Sequence, residues 1–325
     1  MIRHRGMAMV LVLWVLSLLT IMAGSFVLTI RRETAIIAGL KNNAEAMATA
    51  ESGLAIAELM LQNPDQNKRW RADGSIYQID AENAKLRIRL LSETGKIDLN
   101  SADTQQLHNL MERSPGGGIA QLPFGSVDRA TAILDWRDAD DFEGINGAEK
   151  KQYQDAGLNY KPRNKPFQSL EELQMVLGMD EATLKWLEPL VTVYTEQPQV
   201  DIQLAGKEVL AVLQTVDSGL IDSYIAARVE NAKNNLPAPP PPLNAGQSAV
   251  SNTSEVNILT IVSEVRRDDQ ATAVVNALVK KAEGTQATPY QVLRWQHSTA
   301  NNVSLFSNKM SELVVKHYAE SELNN

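Results

Sequence analysis

The chain has 325 residues, 44% of them hydrophobic and 22% charged, which is enough for about two domains and apolar enough to fold over most of its length. Its net charge of −8 is opposite in sign to the basic footprint that nucleic acid requires, and this argues against a nucleic-acid binder. There is no cysteine, so disulfides and thiolate metal sites are excluded, and a hard cation held by oxygen is one candidate for another staple in a large domain.

A short leader carrying Arg3, His4 and Arg5 ends in Gly6, and Met7 to Ile30 then bears no charge. As a helix this run is about 36 Å long, enough to cross a hydrocarbon core of ~30 Å. Arg31 and Arg32 close it. Three processing schemes compete. A secretory signal would be cut near Met22-Ala23-Gly24-Ser25, a signal anchor would stay whole, and a leader peptide would be removed after Gly6 with the apolar run retained. The residues beyond Arg32 favour the third. Ile36, Ile37, Leu40, Ala44, Met47, Leu54, Ala55 and Leu59 recur at helical spacing, with no proline before Asn63-Pro64. One helix is therefore expected from Met7 to about Leu61, its 7–30 portion suited to lipid and the remainder to a protein core.

A basic leader ending in Gly6, then Met7-Ala8-Met9 and an apolar helix that turns amphipathic, resembles a type IV pilin or pseudopilin. The resemblance implies cleavage by a prepilin peptidase between Gly6 and Met7, followed by methylation of the new amino terminus. One position departs from the family. Most such proteins carry Glu at the fifth mature position, where it offsets the buried amino terminus of a neighbouring subunit, and here that position is Leu11. The family member lacking this Glu is the large minor pseudopilin K of type II secretion, so Leu11 is read as the tip-determining position.

Beyond residue 62, Ser75 to Asp80 and Ala84 to Glu93 read as a strand hairpin, because Leu86, Ile88 and Leu90 alternate with Lys85, Arg87 and Arg89. Two helix-hairpin-helix-like segments come next. In the first, Asn100-Ser101 precedes a helical run and Ser101 is the expected cap. In the second, Ser169 and Glu172 have capping-box spacing. A third, weaker copy starts at Val200-Asp201-Ile202. Such modules resemble those of competence DNA receptors and of the pseudopilin K α-domain. Charge separates the two readings. Residues 97–190 hold 16 acidic against 9 basic residues, and the turn at Gly178 puts Asp180 and Glu181 where phosphate would sit. DNA uptake by a membrane-anchored receptor is thus the alternative, and an interaction domain is the preferred reading, with Trp136 and Trp186 as core.

Between the first two modules lies an acid-rich stretch with Asp135, Asp138, Asp140, Asp141, Glu143 and Glu149. Like charges at this density repel unless a cation intervenes. Counting Asp138 as position one of an EF-hand-like loop puts Asp140 third and Glu149 twelfth, as oxygen ligation of calcium requires. Phe142 at position five and Gly144 one place late rule out a true EF-hand. The stretch resembles the calcium loop of pseudopilin K, which implies Asp138, Asp140, Asp141 and Glu149 as ligands with Asp135 behind them. The competing reading is a solvated loop neutralised by Arg137, Lys150 and Lys151.

Residues 234–252, with the run PAPPPP, form an extended linker. Residues 253–298 read as three meander strands ending in Tyr290 to Trp295, a pattern similar to the closing sheet of pseudopilin K, and 299–325 as a tail with weak helical character. The four histidines have no ligand spacing, and no phosphate loop, nucleophile elbow or HExxH is present, so no enzyme is expected. The expected class is α+β: a leader (1–6), a long N-terminal helix (7–62), a small antiparallel pseudopilin sheet split between 63–96 and 253–298, and an inserted all-α helix-hairpin-helix (SAM-like) domain at 97–233. The resemblance implies a single-pass bacterial inner-membrane protein with its globular part in the periplasm. Its implied partners are minor pseudopilins I and J, the major pseudopilin, the prepilin peptidase and the inner-membrane assembly platform.

Overall fold

The computed structural model describes residues 5–65, 68–117, 126–213, 217–241, 257–282, 289–298 and 304–319. Helix α1 (Arg5–Leu61) runs unbroken for 57 residues, about 85 Å at 1.5 Å per residue. Its apolar first part has a mean hydropathy of 2.4 and none of it is buried against the other described residues. Burial begins at Ala46 and repeats at Ala50, Leu54, Ala57 and Met60, a stripe one helical turn apart that lies on the sheet.

Strands β1 (Asp73–Ala81) and β2 (Ala84–Ser92) form the expected hairpin over the Glu82-Asn83 turn. The chain then leaves the sheet. Strand β3 (Ile97–Asp98), α2 (Thr104–Glu112), α3 (Arg129–Arg137), α4 (Lys150–Asp155), α5 (Glu181–Leu187), β4 (Val191–Thr192), α6 (Lys207–Leu213) and α7 (Ser218–Lys233) build a helical unit, in which β3 and β4 pair in parallel. It encloses its own core, including Leu107, Ile133, Trp136, Tyr153, Leu187 and Leu210. Strands β5 (Ile258–Arg267), β6 (Thr272–Lys281) and β7 (Tyr290–Ser298) return as the expected meander, and residues 283–288 between the last two lie outside the described residues. A short helix α8 (Asn308–Ser311) leads to β8 (Val314–Ala319).

The sheet order is β7-β6-β5-β2-β1-β8. Three local expectations are corrected. The 299–325 tail, read as weakly helical, contributes β8, which pairs in parallel with β1 and makes the sheet mixed rather than antiparallel. Val314, Val315 and Tyr318 are buried there, and the Tyr318 hydroxyl accepts from Trp70 Nε1 at 3.0 Å. Ser101 does not cap α2. Asp103 does, in a reciprocal box with Gln106, while the Ser101 hydroxyl is buried without a partner among the described residues. Ser169 precedes a 3₁₀ turn (Leu170–Met175) and makes no cap bond. Its expected box partner Glu172 instead accepts from Arg163, the Gln168 amide and Trp136 Nε1.

Candidate metal loop and membrane helix

Asp128 caps α3 by accepting from the Ala130 amide, and the helix ends at Asp138 with Asp135 on its inner face. Asp135 is 3% exposed, and its carboxylate accepts from the amides of Gly144 (3.2 and 3.3 Å) and Ala148 (2.8 Å). The loop thus folds back onto the helix that launched it. A side chain at Gly144 or Gly147 would collide with Asp135 and Thr131, so glycine is required by the closeness of this approach. Asp135 therefore organises the loop, and its oxygens are largely spent on backbone.

The other acids are less satisfied. Asp138 Oδ1 and both carboxylate oxygens of Glu149 are buried with no hydrogen-bond partner among the described residues, and Glu149 is 5% exposed. Burial, then the neighbouring Asp135, Asp138 and Asp141 charges, pushes the Glu149 carboxyl up to about 7. Burial followed by Asp140 and Asp135 raises Asp138 as well. Asp140 and Asp141 are exposed; the first accepts from the Phe142 amide at 2.9 Å, the second from Asn164 Nδ2 at 3.0 Å and Lys161 at 3.5 Å. Asn164 is an addition that no sequence pattern signals. It sits at φ +52°, donates to the Asp140 carbonyl, and leaves its own Oδ1 buried without a partner among the described residues.

Of the basic residues expected to neutralise this loop, two are engaged elsewhere. Arg137 donates to the Leu99 and Ala102 carbonyls, and Lys151 pairs with Asp155. The unsatisfied donors are therefore all oxygen, the set that a hard divalent cation prefers. Among the described residues no three acidic or histidine side chains close on a single point. Asp138, Glu149 and Asn164 thus offer buried oxygens with no hydrogen-bond partner among the described residues, whereas Asp140 and Asp141 are exposed and already accept hydrogen bonds.

At the membrane end, Gly6 and Met7 lie in the first turns of α1, and Leu11 is 65% exposed on it. The hairpin turn at Gly178 packs on Arg129. Arg129 is buried and donates to Ser114, Thr183 and the Pro115 and Gly117 carbonyls, while Asp180 takes the Thr183 amide at the start of α5. Arg129, the basic side chain at this turn, is thus committed to the chain itself rather than open to a phosphate.

Residues 80–196 match the family model described as type II secretion system, protein K. A protein K of type II secretion from Pseudomonas aeruginosa is 25% identical over 309 residues, covering 86% of this chain and 90% of that protein. One from Klebsiella pneumoniae is 25% identical over 231 residues, 65% of this chain and 69% of that protein. Among solved structures, a chain of the GspK–GspI–GspJ complex from enterotoxigenic Escherichia coli matches with a TM-score of 0.50 and 17% identity, over 83% of this chain and 99% of that one. The fold is therefore shared with that chain, and the resemblance read from the sequence is borne out as a similarity to type II secretion system protein K.

Proposed function

We propose that this chain is a minor pseudopilin that caps a periplasmic pseudopilus and starts its assembly with minor pseudopilins I and J. It would thereby support export of folded proteins across the outer membrane. The observation that carries the reading is the division of α1. Its first part offers apolar side chains on every side with no partner among the described residues, and its second part is tied to a sheet. A helix apolar all round is stable in lipid or among other such helices, but not in water. Removal of the leader after Gly6 by the prepilin peptidase leaves the same helix free to pass from the inner membrane, by way of the assembly platform, into a bundle that includes the major pseudopilin. Leu11 cannot neutralise the amino terminus of a subunit above it, and this favours the topmost place. Nothing in the proposed work makes or breaks a bond, so the role is structural rather than enzymatic.

Amino-terminal sequencing of the protein from cells with an active prepilin peptidase tests this. A methylated start at Met7 is expected; a start at Ser25 would overturn the reading. Co-purification with minor pseudopilins I and J, lost when α1 is cut back to Arg32, is the companion result.

The loop after α3 is proposed to hold calcium through Asp138, Asp140, Asp141 and Glu149, joined by Asn164. When bound, the cation would supply the positive charge that cancels the carboxylate repulsion and locks the loop to α3. Addition of calcium should raise the melting temperature of the wild-type protein. Asp138→Ala with Glu149→Ala should remove that shift, and no shift in the wild type would discard the site.

A further inference from the structure

The chain contains one Asn-Gly pair, Asn146-Gly147, and it lies in the loop that Asp135 holds to α3. An asparagine before glycine is the least shielded of its kind, because no Cβ stands between its side-chain carbonyl carbon and the next backbone nitrogen. This glycine cannot be exchanged freely, since an added Cβ would collide with Asp135 Oδ2. The close approach that shuts the loop therefore also leaves Asn146 open to attack by its own chain. Asn146 is exposed at φ +56°, and its carboxamide makes no hydrogen bond to the other described residues. Asn100, before Ser101, is the contrast: its Nδ2 donates to the Phe167 and Val193 carbonyls and its Oδ1 accepts from the Phe167 amide, so the whole group is held.

Asn146 is restrained through the backbone alone. The Gly147 amide donates to the Gly144 carbonyl at 2.9 Å, the Asn146 carbonyl accepts from the Asp128 amide at 2.7 Å, and the Ala148 amide is held by Asp135. The nitrogen that must attack is thus committed while the loop is closed and is freed by local opening. We infer that Asn146 is a site of spontaneous deamidation gated by the Asp135 clamp. In the open loop the Gly147 nitrogen bonds to Asn146 Cγ and gives up its proton. The Cγ–Nδ2 bond breaks, and ammonia leaves with that proton, closing a succinimide ring. Water then opens the ring at either carbonyl, giving aspartate or isoaspartate. Isoaspartate routes the backbone through the former side chain and adds one methylene between Gly144 and Ala148, the two residues that Asp135 grips. Either product adds a negative charge beside exposed Asp140, Asp141 and Glu143. The change is one-way, so a loop that has opened and reacted does not return to its former register. The inference depends neither on calcium nor on a place in a pseudopilus.

Full-length protein in detergent micelles with EDTA can be aged in warm, mildly alkaline buffer beside the free peptide acetyl-Gly-Ile-Asn-Gly-Ala-Glu-amide. Trypsin releases residues 138–150, which hold no other asparagine, and mass spectrometry with an isoaspartyl methyl-transfer assay scores the products. The folded protein is expected to convert at Asn146 at least ~10-fold more slowly than the peptide, and Asp135→Asn at least ~3-fold faster than the wild type. Asn100 should stay intact. Where Asp135→Asn does not fold, hydrogen exchange of the wild type gives the same test: protection of the Gly147 amide should match the slowing of deamidation, and a mismatch above ~10-fold would overturn the gate. Conversion at the peptide's rate, no acceleration in a folded Asp135→Asn, conversion at Asn100 ahead of Asn146, or no product at Asn146 after ~100 peptide half-lives would each overturn the inference.

Discussion

Glu149 and Asp135 carry the same charge fourteen residues apart, and their surroundings give them opposite roles. Asp135 is held by loop amides, so its loss should open the loop: Asp135→Ala is expected to cost ~2–4 kcal/mol and to weaken any calcium response, read by thermal melting. Glu149 is buried with no carboxylate hydrogen bond among the described residues, and its carboxyl rises to about 7. Linkage sets the sign. The folded state holds this proton more tightly than the unfolded state, whose pKa is near 4.5, so without calcium stability falls as pH rises from about 4.5 through about 7. Glu149→Gln should flatten that decline and leave the calcium-free protein ~1–2 kcal/mol more stable at alkaline pH. Calcium should reverse the slope in the wild type, because only the deprotonated carboxylate ligates. A wild-type profile flat between pH 5 and pH 8 without calcium would contradict this account. The sequence displayed the acids and set Asp135 behind the others, but it could not separate buried Asp138 and Glu149 from exposed Asp140 and Asp141, because spacing says nothing about burial. Asn164 gave no signal at all, since it enters from a loop more than twenty residues from Asp141 and by way of an unusual backbone angle.

Element by element, legibility tracked how far each segment's pattern was set locally. The long helix was plain, because an uncharged run and a continued helical spacing are properties of the segment itself. The β5–β7 meander and the β1–β2 hairpin were plain for the same reason. Strand β8 was not: it is short, and its edge place beside β1 depends on Trp70 and Ile76 more than two hundred residues away. The caps failed for a similar reason, since Ser101 and Asp103 are equally good acceptors on paper and only the observed backbone decides between them. The helix also carries a contact that no periodicity reveals. At Gly53 α1 comes so close to β5 that an added Cβ would collide with Ser263 Oγ and lie 3.3 Å from Ile88. Alanine there would gain ~1 kcal/mol in an isolated helix. Here Gly53→Ala is expected to destabilise by ~1–3 kcal/mol through overpacking. Ser263 is fully buried and its hydroxyl has no partner among the described residues, so Ser263→Ala should be neutral or stabilising and should recover part of the Gly53→Ala loss. Additive losses in the double variant would show that the two residues do not meet.

At the scale of the whole molecule, two hydrophobic cores must act as one body if contacts on the helical unit are to be felt by α1. Helix α7 straddles them. Its Ile221 and Tyr224 belong to the core of the helical unit, and one turn further on Val229 belongs to the core beneath the sheet. Arg228 stands at the crossing, 5% exposed. One nitrogen donates to the Gln203 and Ala205 carbonyls of the helical unit and the other to the Asp73 carbonyl at the start of β1. Elsewhere the two bodies meet through Arg294 and Glu171, whose side chains are 31% and 50% exposed. Exposed pairs contribute little, whereas removing a buried donor leaves three carbonyls unmatched. Arg228→Ala is therefore expected to cost ~3 kcal/mol or more, and Arg294→Ala below ~1 kcal/mol. The form of unfolding discriminates further than the size of the loss. With Arg228 intact the protein outside the membrane should melt in one calorimetric transition; in Arg228→Ala the helical unit and the sheet should separate into two, because each keeps its own core. A single transition in both variants, or equal costs at the two arginines, would mean that α7 packing alone joins the bodies. Two transitions would identify a buried guanidinium as the rigid joint through which the helical unit is mounted on the membrane helix.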